Sequence, residues 1–252
     1  MNRSVLSPLI LFALLLCLPT PMACAQSRAS GAGFDLTATD GIRFLADAGR
    51  YEATGNVQIV VGDWVVLADR VVASLDAEQA SMAGLSAEGT VFVQSGTFKA
   101  RAAHLELQLQ TQTVKLRGAP VSVQMADDRL VTAGSLSFFV DQGGLSIDQD
   151  FVLQIQGTVI AGGSASIEMT GGVLETLKVQ GGVDVERDSF RAAAETLSLN
   201  RASNEILLEG AVVLQSGDVL LSGISAIFDL ESGAVQINND TSARVSGALR
   251  SQ

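Results

Sequence analysis

The residues of this chain that could do chemistry are few and scattered. Three acidic pairs stand out: Asp127-Asp128, Asp148 with Asp150, and Glu186 with Asp188. Two carboxylates facing each other at a defined separation can hydrolyse a glycoside. Each pair here falls in or near a run of turn residues, where carboxylates serve local hydrogen bonding and solvation. His104 is the sole histidine. A metal site needs several ligands converging on one point, so His104 reads as a surface residue beside a bend at Ala102. Gly-Gly pairs at 143–144, 162–163, 171–172 and 181–182 suggest a calcium-binding nonapeptide repeat, but the string G-G-x-G-x-D never occurs. No G-x-S-x-G, phosphate-loop or dinucleotide fingerprint is present. The chain therefore reads as a non-enzyme, with no metal and no cofactor.

Its N-terminus, MNRSVLSPLILFALLLCLPTPMACAQ, has an early arginine, an apolar run from Val5 to Leu18 and the small-x-small set Ala23-Cys24-Ala25. This predicts a secretory signal peptide over 1–25, cleaved after Ala25. Two other readings are lipidation at Cys24, against which Pro21 and Met22 speak, and an uncleaved anchor. Both cysteines, Cys17 and Cys24, lie in this segment, so the exported chain would hold no disulfide and no thiol chemistry. Cleavage removes Arg3 and no acid, taking the net charge from −11 to −12. Phosphate backbones would repel such a chain, so no nucleic-acid partner is expected.

The elements that must position any site come from a repeat. Gly55, Gly62 and Ala68 set a spacing of seven then six residues, which returns at Gly89, Gly96 and Ala102, at Gly181, Asp188 and Ala194, and at Gly210, Gly217 and Gly223. Asp150, Gly157 and Gly163 fit with one replacement, and Gly118, Asp128 and Gly134 fit with three extra residues. Six copies result, with turns at 62, 96, 128, 157, 188 and 217, a spacing of 29 to 34 residues. Within each copy, apolar residues alternate with period two, as in GNVQIVV, so the copies are strands with one dry face. RAAAETLSL holds helix formers but occupies a strand slot. Small residues midway along the strands mark bends. The expectation is all-β: about fourteen strands forming an open stack of bent antiparallel hairpins, in six or seven repeats, whose two arms face each other across an apolar interior. Residues 26–39 read as a flexible lead-in, and 40–252 as one domain.

The line GIRFLADAGRYEATGNVQIVVGDWVVLADRV resembles the periplasmic lipopolysaccharide-transport proteins of the LptA/OstA group. IRFLAD (42–47), Gly55-Asn56-Val57 and Ala68-Asp69-Arg70-Val71 carry the likeness, closely over 40 to about 76 and more loosely beyond. The resemblance implies an open β-jellyroll in the periplasm that holds acyl chains in its interior. It implies lipopolysaccharide or a related lipid as ligand, LptC-like inner-membrane and LptD-like outer-membrane proteins as partners, and head-to-tail self-association. This chain is longer and more acidic than the pattern, which leaves an LptC-like role or another lipid open. On this reading the interior is lined by Ile42, Phe44, Val57, Ile59, Val91, Val93, Val183, Val185, Val212 and Leu214, with Ile42 and Phe44 nearest the N-terminal edge. Alternation alone does not separate a lipid groove from a filled core. Tyr51 and Trp64, each alone of its kind, either sit at a groove mouth or pack on a neighbouring strand. Docking by strand addition would use the first strand (42–47) and the last (234–247). A structural or adhesive β-solenoid and a polysaccharide enzyme on a β-helix are the rival classes; the enzyme lacks a column of charged residues on successive repeats.

Overall fold

The computed structural model describes residues 26–31, 33–76, 81–118, 120–132, 134–140, 142–188, 190–239 and 246–249. The segment read as a signal peptide, with Cys24, lies outside these residues. Strands dominate, as the period-two alternation requires. β1 (Ser27–Gly31) and β2 (Phe34–Ala38) come first, then β3 (Gly41–Leu45), a 3-10 turn at Ala46–Ala48, and the long strands β4 (Arg50–Val61), β5 (Trp64–Leu75), β6 (Met82–Ser95) and β7 (Phe98–Gln108). Shorter strands follow: β8 (Thr113–Arg117), β9 (Val121–Met125), β10 (Asp128–Thr132), β11 (Ser135–Phe139), β12 (Gly144–Ile147) and β13 (Phe151–Ile155). The chain continues with β14 (Thr158–Thr170), β15 (Val173–Arg187), β16 (Phe190–Ala194), β17 (Thr196–Asn200), β18 (Glu205–Ser216), β19 (Val219–Asp229), β20 (Val235–Asn238) and β21 (Ser246–Leu249). No helix among the described residues is long and apolar enough to cross a membrane.

All pairings are antiparallel, and they divide into two arms. The first arm runs β1, β2, the second half of β4, the first half of β5, and onward through β9, β10, β13 and β16 to β21. The second runs β3, the first half of β4, the second half of β5, and onward through β8, β11, β12 and β17 to β20. Long strands serve both arms, and the ladder slips where they pass from one to the other, between Thr54 and Val57, Glu88 and Val91, Gly162 and Ser164, and Glu209 and Val212. A bulge bends a strand, so these slips form the corner. Gly55 shows why glycine stands there: its φ is +80°, and a Cβ would run into the Asp40 carboxylate. At the next corner Gly89 lies under Asp69, whose Oδ2 accepts the Thr90 N–H at 2.9 Å. An acid on one corner thus covers the glycine of the next and satisfies a main-chain donor that the bulge frees.

Two expectations change. Among the described residues twenty-one strands replace about fourteen, because some corners break the strand outright: Pro120, which has no N–H, separates β8 from β9, and Glu195 separates β16 from β17. Residues 26–39 are not a flexible lead-in. Phe34, Leu36 and Ala38 alternate inward and are buried, and β2 pairs with β4 from Phe34↔Val61 to Thr37↔Gln58. The N-terminal margin is therefore β1 on the first arm and β3 on the second, rather than residues 42–47 alone. At the other end, β20 and β21 are separated by residues outside the description, so only parts of 234–247 are placed.

Candidate functional site

Between the arms lies a continuous apolar interior. Inward positions alternate along every strand, as in Val57 and Ile59 or Leu105 and Leu107, and one buried cluster extends from Phe34 on β2 to Leu230 beyond β19. Of the positions expected to line it, Val57, Ile59, Val91, Val93, Val183, Val185, Val212 and Leu214 are all buried. Ile42 is partly buried against the same cluster. Phe44 departs from the set. It is 48% exposed on β3, with its ring 4.7 Å from that of Tyr51 on β4. Among the described residues β3 has a ladder partner on one side only, β4, which leaves Phe44 half in solvent.

The interior is packed. Leu36, Ile59, Leu116, Met125, Leu153 and Ile160 are fully buried. Its long side, where the hairpin turns of the two arms face each other, is closed by side chains. Phe34 meets Tyr51 edge-on at 5.6 Å. Trp64 and Phe98 of the first arm surround Phe138 of the second at 5.7 and 5.2 Å. Further on, Arg201 Nη2 lies 3.3 Å from Asp128 Oδ2. Then Arg187 Nη1 donates to the Leu230 carbonyl at 2.6 Å, and Phe190 stacks on Phe228 at 5.1 Å. The contacts are staggered, Phe98 to residue 138 but Asp128 to residue 201, as expected for arms twisted across each other. A cleft of about 660 Å3 opens on this seam beside Trp64, Phe98, Phe138 and Met169.

No strand ladder crosses the seam among the described residues: every register joins neighbours within an arm or along a shared strand. Main-chain bonds of the turns also stay within one arm, as in Arg201 N–H to the Glu175 carbonyl and Leu230 N–H to the Asn204 carbonyl. The arms are hydrogen-bonded sheets, and what joins their tips among the described residues is side-chain packing with polar contacts such as the Asp128–Arg201 ion pair and the Arg187 hydrogen bond to Leu230.

Asp128 corrects the reading of the acidic pairs. It is not turn solvation: the turn is 126–127, and Asp128 opens β10 facing inward, 2% exposed. Burial pushes its carboxyl above the usual carboxylate range, and the Arg201 guanidinium acts against that shift. Arg201 Nη1 is itself buried without a hydrogen-bond partner. The alternation held the clue, since Leu130 and Thr132 on the dry face put Asp128 on it too. The other pairs stay at the surface, and His104 is exposed beside a corner. No grouping of three or more His, Cys, Asp or Glu able to hold a metal occurs among the described residues. Tyr51 and Trp64 both pack in aromatic clusters at arm tips.

The family described as LptA/(LptD N-terminal domain) LPS transport protein matches residues 42–143, less than half of the chain. Among solved structures the chain is similar to LptH, titled the LptA homologous periplasmic component of the conserved lipopolysaccharide transport device from Pseudomonas aeruginosa. The identity is 12% and the TM-score 0.37, over 61% of this chain and 95% of that one. The comparison with curated proteins returned no match. The match over 42–143 begins at the IRFLAD segment and spans the Gly-Asn-Val and Ala-Asp-Arg-Val motifs, and it bears out the resemblance of this chain to the lipopolysaccharide-transport family.

Proposed function

We propose that the protein is a periplasmic carrier of lipopolysaccharide or a related lipid, acting in the bridge between the inner and outer membranes. One observation carries the reading: the apolar interior is reached through a seam that no ladder closes. Acyl chains enter by parting side chains, without breaking a sheet, and partition into the dry space because leaving water is favourable. Transfer is passive, and no side chain is asked to make or break a covalent bond. The strand edges at the two ends of the stack, β1 and β3 at one and β20 and β21 at the other, carry main-chain groups with no ladder partner among the described residues, open to strand addition by LptC-like and LptD-like partners or by another copy of this chain.

The dense interior supports a second reading, a structural solenoid with a filled core. One experiment separates the two. A photocrosslinking residue is placed in cells at Val57, Ile59 or Val91, with the exposed Gln58 and Arg70 as outward controls. Lipopolysaccharide attached at the inward positions alone is the expected result. No lipid at any inward position, in protein that is folded and exported, would leave the solenoid reading standing.

A further inference from the structure

The outer face of the first arm carries a feature that the interior does not explain. Lys99 and Arg101 on β7 and Arg129 on β10 border one shallow depression of about 310 Å3, floored by Ser122 and Gln124 of β9 and flanked by Phe92 of β6. The register builds it as two adjacent rows. In one, Gln94, Lys99, Gln124, Arg129 and Gln154 follow one another across five strands. In the other, Phe92 faces Arg101, then Ser122, then Val131. Neighbouring strands lie about 4.8 Å apart, so Lys99 and Arg129 stand about 10 Å apart with Gln124 between them.

Composition does not account for this patch. The chain carries 27 acids against 16 Lys and Arg, yet neither row contains an Asp or Glu. Asp128 precedes Arg129 along the chain but faces the interior, and the nearest exposed acid along the chain is Asp127, in the adjoining turn. Arg28, Arg43, Arg50, Arg70, Arg191 and Arg201 are engaged by carboxylates, whereas Lys99, Arg101 and Arg129, like the dispersed Lys115, Arg117 and Lys178, are in no ion pair among the described residues. Two of the groups are held in place. Arg101 stacks over the Phe92 ring at 5.9 Å, and the Gln124 carboxamide donates to the Ala126 carbonyl at 2.7 Å. Three cations within reach of one point suit a phosphate, with Arg offering a planar fork and Lys a point charge. The alternating carboxamides and the Ser122 hydroxyl can both donate and accept, which suits sugar hydroxyls.

We infer that this depression binds the phosphate of a phosphorylated saccharide, with Lys99, Arg101 and Arg129 around the phosphate and Gln94, Gln124 and Gln154 on the sugar. The inference goes beyond the lipid-carrier reading: the patch lies on the outside of the stack and needs no acyl chain in the interior. The test is an amide chemical-shift titration of the purified protein with glucose 6-phosphate, glucose, inorganic phosphate and a tetra-aspartate peptide, none of which has an acyl chain. Glucose 6-phosphate should move the amides of 99–101, 122–124 and 129, at least tenfold more tightly than inorganic phosphate, and glucose should move none. The exposed double change Arg101→Glu with Arg129→Glu should weaken binding at least tenfold, while Lys178→Glu on the other arm should leave it unchanged. Equal affinity for inorganic phosphate would make this a free-phosphate site and overturn the saccharide assignment. Tighter binding of the peptide, or shifts that do not map to the patch, would overturn the inference altogether. A negative result here leaves the interior reading untouched, because that is judged by crosslinked lipid at Val57, Ile59 and Val91.

Discussion

The two stretches of the seam are closed by different physics. Near the N-terminal end, Trp64, Phe98 and Phe138 join the tips through ring contacts, and Phe98 and Phe138 are buried. Towards the C-terminal end charged groups enter the closure: the tips are joined by Asp128 with Arg201 and by Arg187 on the Leu230 carbonyl, with a single ring pair, Phe190 on Phe228, beside them. Aromatic closure is favourable because it removes apolar surface from water. Ionic closure sets a desolvation cost against an attraction of similar size, so its net worth is small while the loss of one partner is costly. The aromatic stretch should therefore act as a permanent clamp, and the ionic stretch as a latch whose strength depends on protonation and on keeping both partners.

The largest effect is expected where the aromatic clamp is cut. Phe98→Ala should cost about 4 kcal/mol in equilibrium denaturation, from lost burial plus the cavity left under Trp64 and Phe138. A cost below about 1 kcal/mol would mean the rings do not clamp. Asp128→Ala should cost about 3 kcal/mol, since it strands a guanidinium that already has one unpartnered nitrogen. The pairing of Asp128→Leu with Arg201→Met should recover most of that loss, which an aromatic clamp would never do; failure to recover would sink the latch description. Smaller still, Arg187→Met should cost about 1.5 kcal/mol, the scale of a charged hydrogen bond to a main-chain carbonyl, read from the same denaturation curves.

The smallest effect is a pH trend that separates the stretches. Because the folded carboxyl of Asp128 is raised, mainly by burial, the native state holds this proton more tightly than the unfolded chain. Its contribution to stability is full below the unfolded value and is lost as pH rises through the folded one. Asp35, Glu52 and Asp229 run the other way, lowered by the Arg28 hydrogen bond, by the Arg43 hydrogen bond and by the Ser232 N–H. Wild type should thus lose ground relative to Asp128→Asn as pH rises from the ordinary carboxylate range, measured as the difference in Tm. A difference that is flat or rises with pH would contradict the burial of that carboxyl. Phe98→Leu should show no such trend.

Much of this architecture was legible in the sequence because it is local. Alternation in GNVQIVV or EILLEGAVVLQS gives the inward face directly, and the recurring Gly spacing gives corners and turns. Val57, Ile59, Val91 and Val93 fall on the dry side for that reason. What escaped is non-local. Asp128 looked like a turn acid until Arg201, 73 residues away, gave it a reason to be buried. Phe44 obeys the alternation of its strand, but the exposure of an edge overrides it. Lys99, Arg101 and Arg129 are spread over two hairpins, and only the register across β7, β9 and β10 gathers them. The stagger of the seam depends on accumulated twist, which no short motif encodes.

The corner bulges have a consequence for the length of the molecule. Each corner is completed by its neighbour, as Asp69 completes Gly89, so a hairpin needs only the one before it and the one after. A unit of 29 to 34 residues adds two strands, and so about 10 Å to the stack, without altering its cross-section. Length along the stacking axis is therefore a discrete quantity, counted in hairpins. Duplication or deletion of one unit would change the length of the stack while preserving the strands at its two ends. The chain is in this sense a ruler, with its graduation set by the glycine spacing.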